Sequence, residues 1–250
     1  MSLRVLMYHD IEPEATNNRY SFTARDFAAH MSAIKAAAGG SPAIARGSKE
    51  AMSGFAITFD DGHKGWLAAA DALEALGWRA YFFIITSRIG AAGGLEAADI
   101  RRLHAAGHVI GSHSVDHPYH LAAREPVFIE EQWTRSKAVL EDIIGHEVLS
   151  ASVPGGSYNR RVGLAADAAG VRMLFTSEPV ATSWDVDGCR VFGRYALYNG
   201  MDAQAAAALA AGRLSATLPQ YLSWNLRKAV RAVMRRPYQA IRRTLYKGTS

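Results

Sequence analysis

Short apolar runs alternate along this chain with longer segments in which apolar residues recur every three or four positions. The short runs predict buried strands, and the periodic segments predict helices with one buried face. Strands are predicted over residues 5–8, 55–59, 81–85, 108–110, 149–153 and 172–176. Helices are predicted over residues 24–37, 67–76, 97–106, 125–144 and 160–169. This α/β alternation indicates a parallel sheet, open or closed into a barrel, with functional groups at the carboxyl ends of the strands.

Two adjacent carboxylates, Asp60 and Asp61, end one of these strands and precede Gly62. Buried carboxylates this close raise each other's pKa, and a metal ion removes that conflict by binding one of them. The other is then free to act as a base. Neighbouring strand residues point to opposite faces, so both side chains reach one site only if the backbone turns, which Gly62 permits. The alternative is an ordinary strand end followed by an Asp-Gly turn.

A pair of histidines, His113 and His117, follows the strand predicted over 108–110. Their spacing of four residues predicts that they lie on one face of a helical turn, where both imidazoles can bind one Zn²⁺. Asp61 would be a third ligand and would leave a position open for water or substrate, as in catalytic zinc sites. Two surface histidines in a polar loop are the alternative, but the upstream carboxylates favour the metal site.

The composition agrees with a soluble enzyme of one large domain, since the 250 residues are 49% hydrophobic and 20% charged. The single cysteine, Cys189, excludes an intrachain disulfide and is compatible with the cytoplasm. His9 and Asp10 interrupt the first apolar run too early for a signal peptide. No apolar stretch approaches the roughly 18 residues of a transmembrane helix. A cytoplasmic location without a signal peptide is therefore expected.

Three motifs together resemble those of the polysaccharide deacetylases, the NodB-homology proteins of carbohydrate esterase family 4. The resemblance spans residues 3–195, and its motifs are Thr58-Phe59-Asp60-Asp61-Gly62, Ser112-His113-Ser114-Val115-Asp116-His117-Pro118 and Val153-Pro154-Gly155-Gly156. It implies a distorted (β/α) barrel with fewer strands than the eight-stranded type, and metal-dependent removal of an acetyl group from an N-acetylated sugar. It also implies that Asp60 is the base and that the metal ligands are Asp61, His113 and His117. The Gly155 N–H, next to Pro154, would stabilise the oxyanion.

Two departures from the family pattern change the expected site. Ser152 stands where the family often has an arginine, so the usual clamp on the base is expected to be missing. No histidine follows His146, so the last family motif, whose histidine protonates the leaving amine, is absent from its usual place. Some relatives are circularly permuted, and Met7-Tyr8-His9 fits such a permutation because the first and last strands of a closed barrel are neighbours. His9 is therefore assigned as general acid, with a packed strand-end histidine as the alternative.

The substrate is expected to be an N-acetylated glycan or glycolipid. Tyr158 is a candidate to line its binding groove, although packing in the core or at its rim is the alternative. Three functions stay open: a sugar N-deacetylase, which we favour, a related metal-dependent amidohydrolase acting on a small amide, and a carbohydrate-binding homologue without catalysis. The intact motif residues argue against the last of these.

The end of the chain differs in charge from the rest and predicts a basic helical extension, residues 203–250, on a catalytic domain of residues 1–202. The extension has nine Lys or Arg and no Asp or Glu, whereas residues 1–202 carry 19 basic and 23 acidic side chains and a net charge of −4. Apolar residues recur there at helical spacing, and Pro237 is expected to break or kink the helix. Such a helix can make peripheral contact with an anionic membrane or pack on the barrel. Nucleic acid is not expected as a partner, because no recognised binding module accompanies the charge.

Overall fold

A computed structural model describes residues 2–47 and 50–245, and along residues 231–245 it describes the helix backbone. Its strands are β1 (Leu3–Tyr8), β2 (Asp10–Glu12), β3 (Ser21–Thr23), β4 (Gly54–Asp61), β5 (Tyr81–Ile84), β6 (Val109–Ser112), β7 (Ser150–Ser152), β8 (Met173–Phe175), β9 (Ser183–Val186), β10 (Cys189–Phe192) and β11 (Tyr195–Ala196). Its helices are α1 (Ala24–Ala38), α2 (Trp66–Ala75), α3 (Ala97–Ala105), α4 (Pro126–Ile144), α5 (Arg160–Ala168), α6 (Ala203–Ala210) and α7 (Leu214–Leu245). The last five residues of the expected extension, 246–250, lie outside the described residues.

The main sheet is curled and has the strand order β11-β1-β4-β5-β6-β7-β8-β10-β9. Its strands run parallel except for β9, which pairs antiparallel with β10. β10 pairs with β8 and β11 pairs with β1, yet only Gly193 and Arg194 separate β10 from β11 along the chain. This short connection draws the two sides of the curl together. The sheet is the distorted (β/α) barrel that the motifs predict.

Alternation along β4 fixes which side chains enter the curl. Ala56 packs inside it with Tyr81 and Phe83, whereas Ile57 and Phe59 pack outward in the layer that the helices cover. Because the side-chain period of a strand is two residues, Asp60 shares the inward direction of Ala56. The carboxyl end of β4 therefore directs a carboxylate into the barrel.

All the predicted strands and helices are present, with ends shifted by a few residues. Sequence patterns did not reveal β2, β3 or the three short strands β9, β10 and β11. Helix α7 continues across Pro237 to Leu245, where a break or a kink was expected. None of the helices in residues 2–47 and 50–245 is both long and apolar enough to cross a membrane.

Helix α6, the first part of the expected extension, packs within the main core. Its buried residues Ala206, Leu209 and Ala210 share that core with Phe27 of α1 and Leu6 of β1. The boundary at residue 202 stays a prediction, and Ala216, in the first turn of α7, also packs against this core.

Candidate active site

Asp60 lies at the carboxyl end of β4 and is buried. The fully buried Arg194 donates from Nη1 to Oδ1 and from Nη2 to Oδ2 of Asp60, each at 2.7 Å. The Nε of Arg194 donates to the Thr176 carbonyl at 2.8 Å, which fixes the guanidinium. Burial alone would raise the pKa of Asp60, but Arg194, His113 and His9 hold that pKa below its ordinary value. Asp60 is therefore a carboxylate in the folded protein.

This ion pair corrects the expectation, drawn from Ser152, that the clamp on Asp60 is missing. Arg194 provides the clamp, and it does so from the two-residue break between β10 and β11. This connection requires glycine at position 193. A Cβ there would lie 2.4 Å from the Glu178 carbonyl oxygen, so a residue with a side chain would force the backbone to move. One feature of the sequence points to a buried arginine at this position. Arg194 is the single charged residue between two uncharged segments, Val191-Phe192-Gly193 and Tyr195-Ala196-Leu197.

The three predicted metal ligands, Asp61, His113 and His117, converge at one point, and each offers an atom within 4.8 Å of the others. The Oδ1 of Asp61 is 3.4 Å from Nε2 of His113 and 3.9 Å from Nε2 of His117. Left-handed backbone at Asp61 (φ 96°) and Gly62 (φ 94°) turns the strand end, so that Asp61 joins Asp60 at one site. The turn expected from Gly62 is thus present, and it begins one residue earlier.

The segment from His113 to His117 is a loop and not the helical turn that the spacing predicts. Left-handed backbone at Ser114 (φ 68°) and His117 (φ 54°) folds the loop back on itself. The Ser114 hydroxyl accepts a hydrogen bond from the His117 N–H at 3.0 Å. The two imidazole centroids are 5.0 Å apart as a result.

The chemistry of these atoms fits a divalent cation. Nδ1 of His113 is 3.0 Å from the Ser152 carbonyl oxygen, which can only accept, so Nδ1 carries the proton and Nε2 presents a lone pair toward Asp61. Oδ1 of Asp61 is buried and has no hydrogen-bond donor among the described residues. Such an arrangement is costly unless a cation lies between the two atoms.

The charges of the neighbouring side chains shift the pKa values of Asp61 and His113, two of the three predicted metal ligands. Burial alone would raise the pKa of Asp61, but the imidazoles of His113, His9 and His117 hold it well below its usual range. Burial alone would lower the pKa of His113, but Asp60 and Asp61 raise it above its ordinary value. A cation bound at this site would therefore compete with a proton for the His113 imidazole.

Ser152 links the carboxylate to the histidine. Its Oγ lies 2.6 Å from Nδ1 of His113 and 3.1 Å from Oδ1 of Asp60. The single Nδ1–H of His113 is shared between the carbonyl and hydroxyl oxygens of Ser152, and the hydroxyl donates its own proton to Asp60. The residue that stands in place of the family arginine therefore orients two site residues at once.

His9 follows β1 and faces the same group of charges. Its Nδ1 is buried and has no hydrogen-bond partner within residues 2–47 and 50–245. Burial lowers the pKa of His9, and the charges of Asp60 and Asp61 oppose that effect. The Trp66 indole donates a hydrogen bond to the His9 carbonyl at 2.7 Å. The centroid of the His9 imidazole lies 4.6 Å from the centroid of the Tyr20 ring. The permuted arrangement needs β1 beside the last barrel strand, and β1 does pair with β11.

The remaining candidates follow β7. Pro154 is buried, and Gly155 is exposed with left-handed backbone (φ 57°). Tyr158 is half-buried, and its hydroxyl accepts a hydrogen bond from the Trp184 indole at 3.1 Å. Pro154 and Gly155 thus lie two and three residues beyond Ser152, whereas Tyr158 has its partner on β9. A role of Tyr158 in binding sugar stays a prediction.

Comparisons with known proteins agree with these motifs. The family model described as polysaccharide deacetylase matches residues 48–174. YxkH of Bacillus subtilis (strain 168), whose name assigns it provisionally to the polysaccharide deacetylases, is 28% identical over 204 residues. That match covers 78% of this chain and 70% of YxkH.

Solved structures share the fold. BC0361, a polysaccharide deacetylase from Bacillus cereus, is 22% identical with a TM-score of 0.72, over 84% of this chain and 69% of that protein. IcaB from Ammonifex degensii is also 22% identical, with a TM-score of 0.70, over 84% of this chain and 97% of that protein. The family match spans half of the chain and includes Asp60, Asp61, His113 and His117. The chain belongs to the polysaccharide deacetylase family and is a hydrolase of carbon–nitrogen bonds other than peptide bonds.

Proposed function

We propose that this protein is a metal-dependent N-deacetylase, which hydrolyses the acetamido group of an N-acetylated sugar in a glycan or glycolipid. The observation that carries the proposal is the position of Asp60, whose Oδ2 lies 3.9 Å from Nε2 of His113 in the three-ligand cluster. An ionised carboxylate beside a cation site of three ligands is the arrangement that metal-dependent hydrolysis of an amide needs.

One divalent cation would be held by Asp61, His113 and His117. Zn²⁺ is the ion we expect, because two imidazoles and one carboxylate form a common catalytic zinc site. When bound, it supplies Lewis-acid chemistry toward the carbonyl oxygen of the substrate.

The residues of the chain supply the proton transfers. Asp60 takes a proton from the attacking water, and Arg194 keeps that carboxylate ionised and oriented. The Gly155 N–H donates to the acetyl oxygen as negative charge develops on it. His9 delivers a proton to the nitrogen as the carbon–nitrogen bond breaks. Water and amide thus become acetate and a free amine.

The metal site is tested by elemental analysis of protein freed from loosely bound ions. We expect one zinc per chain, and we expect His113→Ala/His117→Ala to lose it. His104→Ala/His146→Ala is the matched control, because these two imidazoles also lie close together (4.8 Å between centroids) but outside the cluster. Stoichiometric zinc in the first double variant would contradict the assignment.

The reaction is tested by acetate release from N-acetylhexosamine oligomers, with zinc and after chelation. We expect release that depends on the metal, and a panel of glycans and lipid-linked sugars then identifies the preferred substrate. Zinc-loaded protein that binds the oligomers without releasing acetate would instead be a carbohydrate-binding homologue. Release from small amides alone would favour the amidohydrolase.

A further inference from the structure

The inner face of α7 lies against the end of the barrel that carries the active site. Gln220 exchanges two hydrogen bonds with the backbone of β11, at 2.9 and 3.1 Å. Lys228 pairs with Glu178 at 3.0 Å. The Trp224 indole lies beside Gly156, where an added Cβ would approach it to 3.1 Å. These contacts lie at or beyond the carboxyl ends of β7, β8 and β11, and Asp60 is at the same end of β4.

Between Leu218 and Leu226 the outer face of α7 is apolar and open to solvent. Leu218, Leu222 and Leu226 recur every four residues, with exposed fractions of 48%, 57% and 67%. A step of two residues turns an α-helix by about 200°, so Leu222 points away from the inward Gln220 and Trp224. Single exposed apolar side chains are normal on a protein surface, but a continuous row along one helix marks an interaction surface.

The charge around this row indicates what covers it. From residue 203 onward the chain has nine Lys or Arg and no Asp or Glu. Two copies of α7 brought together would therefore repel each other, whereas an anionic lipid surface would attract each copy. An apolar helix face beside a strong excess of basic residues is the pattern of a helix that lies in a membrane interface.

We infer that α7 docks on an anionic lipid membrane, with the leucine row in the interface and the positive charge of residues 203–250 attracting the anionic headgroups. The inner face of the same helix contacts the active-site end of the barrel, so docking brings that end to about one helix diameter, roughly 10 Å, from the lipid surface. The substrate class is then an N-acetylated sugar carried on a lipid, an assignment that rests on the proposed deacetylase function.

Docking is tested with the full-length protein by sedimentation with vesicles. The probes are phosphatidylcholine vesicles with and without about one-third phosphatidylserine. We expect strong binding to the anionic vesicles alone, and weaker binding as salt rises. Leu222→Ser/Leu226→Ser should lower the partition coefficient at least about tenfold. Val127→Ser/Val139→Ser is the matched control, because these exposed apolar residues (77% and 43%) lie on α4, and it should bind as the wild type does.

Equal binding of the wild type and the leucine variant would overturn docking, and so would self-association that the same variant abolishes. Acetate release from water-soluble oligomers, without vesicles, tests the proposed function by itself, and the leucine variant should retain it. With N-acetylglucosamine attached to a lipid in anionic vesicles, the variant should release acetate at least about tenfold more slowly than the wild type. Equal rates on that substrate would overturn the assignment of a lipid-linked sugar.

Discussion

Asp60 is a buried charge whose ionisation depends on its neighbours. Its two oxygens accept hydrogen bonds from Arg194, and Oδ1 also accepts one from Ser152. A buried carboxylate without such partners would hold its proton and could not act as a base at neutral pH. The same groups that stabilise Asp60 in the fold would therefore keep it ionised for its proposed role as the base.

Replacing Asp60 separates the base from the metal ligands. We expect Asp60→Asn to bind zinc as the wild type does, because the proposed ligands are Asp61, His113 and His117. Acetate release should fall by about 10²- to 10⁴-fold, the usual contribution of a general base. Asp116→Asn, a change at an exposed residue of the histidine loop, is the control and should retain activity. Near-normal kcat in Asp60→Asn would place the base elsewhere.

Replacing Arg194, which clamps Asp60, should lower the free energy of unfolding by an amount that depends on whether Asp60 is present. Arg194→Met leaves a buried carboxylate unpaired, which typically costs about 3–5 kcal/mol in the free energy of unfolding. Asp60→Asn/Arg194→Met should recover part of that loss, because the double variant leaves no buried charge. Urea unfolding of the two single variants and the double variant measures the coupling. Strictly additive losses would show that the pair contributes no energy of its own.

His9 is expected to act on the leaving group. His9→Ala should keep its metal and bind substrate, but it should turn over amides slowly. Its defect should shrink with activated acetate esters, whose leaving groups need no proton. Kinetics on both substrate types, with bound zinc measured in parallel, make the comparison. An equal loss on esters and amides would assign His9 to packing against Tyr20 and not to proton transfer.

Among the elements, the long strands and helices could be predicted from the sequence, but the local backbone geometry between them could not. Apolar runs and helical periodicity locate β4, β5 and α4, because burial determines both. The strands β10 and β11 escape detection, since they have four and two residues and the pair Gly193-Arg194 interrupts them. The spacing of His113 and His117 gives their separation along the chain, but not the left-handed φ values that close the loop. Arg194 lies 134 residues from Asp60, and no local pattern connects them.

The connection between β10 and β11 can be tested at Gly193. In Gly193→Ala the new Cβ would lie 2.4 Å from the Glu178 carbonyl oxygen, so the backbone that carries Arg194 must shift. We expect a loss of about 1–3 kcal/mol in the free energy of unfolding, together with lower acetate release. Gly40→Ala is the control, because a Cβ there meets nothing within 4 Å. Equal behaviour of the two variants would show that the break tolerates a side chain.

For the whole molecule, two buried histidines outside the site, His30 and His108, connect elements that are distant along the chain. His108 lies 3.3 Å from Glu74 of α2, and its Nδ1 accepts a hydrogen bond from the Ala80 N–H. His30 of α1 donates from Nε2 to the Met201 carbonyl at 3.0 Å. Burial lowers the pKa of both imidazoles, and it lowers the pKa of His108 to about 4. The fold thus binds these imidazoles in their neutral form.

Stability should therefore fall in acid. The unfolded chain gains a proton on His108 near pH 6.5, whereas the folded chain resists protonation until about pH 4. Stability from this residue is complete above pH 6.5 and declines as pH falls toward 4, by up to about 3 kcal/mol. His108→Asn, whose amide oxygen can still accept from Ala80, should flatten that decline in urea unfolding across pH. The exposed His146→Asn should not, and an unchanged slope in His108→Asn would contradict the account.

Because β1 pairs with β11, the barrel cannot close during translation until β11 has been synthesised. Asp60 emerges long before Arg194, and at usual rates of translation the 134 residues between them take roughly ten seconds. During that interval the nascent barrel lacks the guanidinium that pairs with Asp60 and has no neighbour on the open side of β1. The candidate active site therefore assembles only after Arg194 has been made, so activity would report that the chain has extended past β11 and that the barrel has closed.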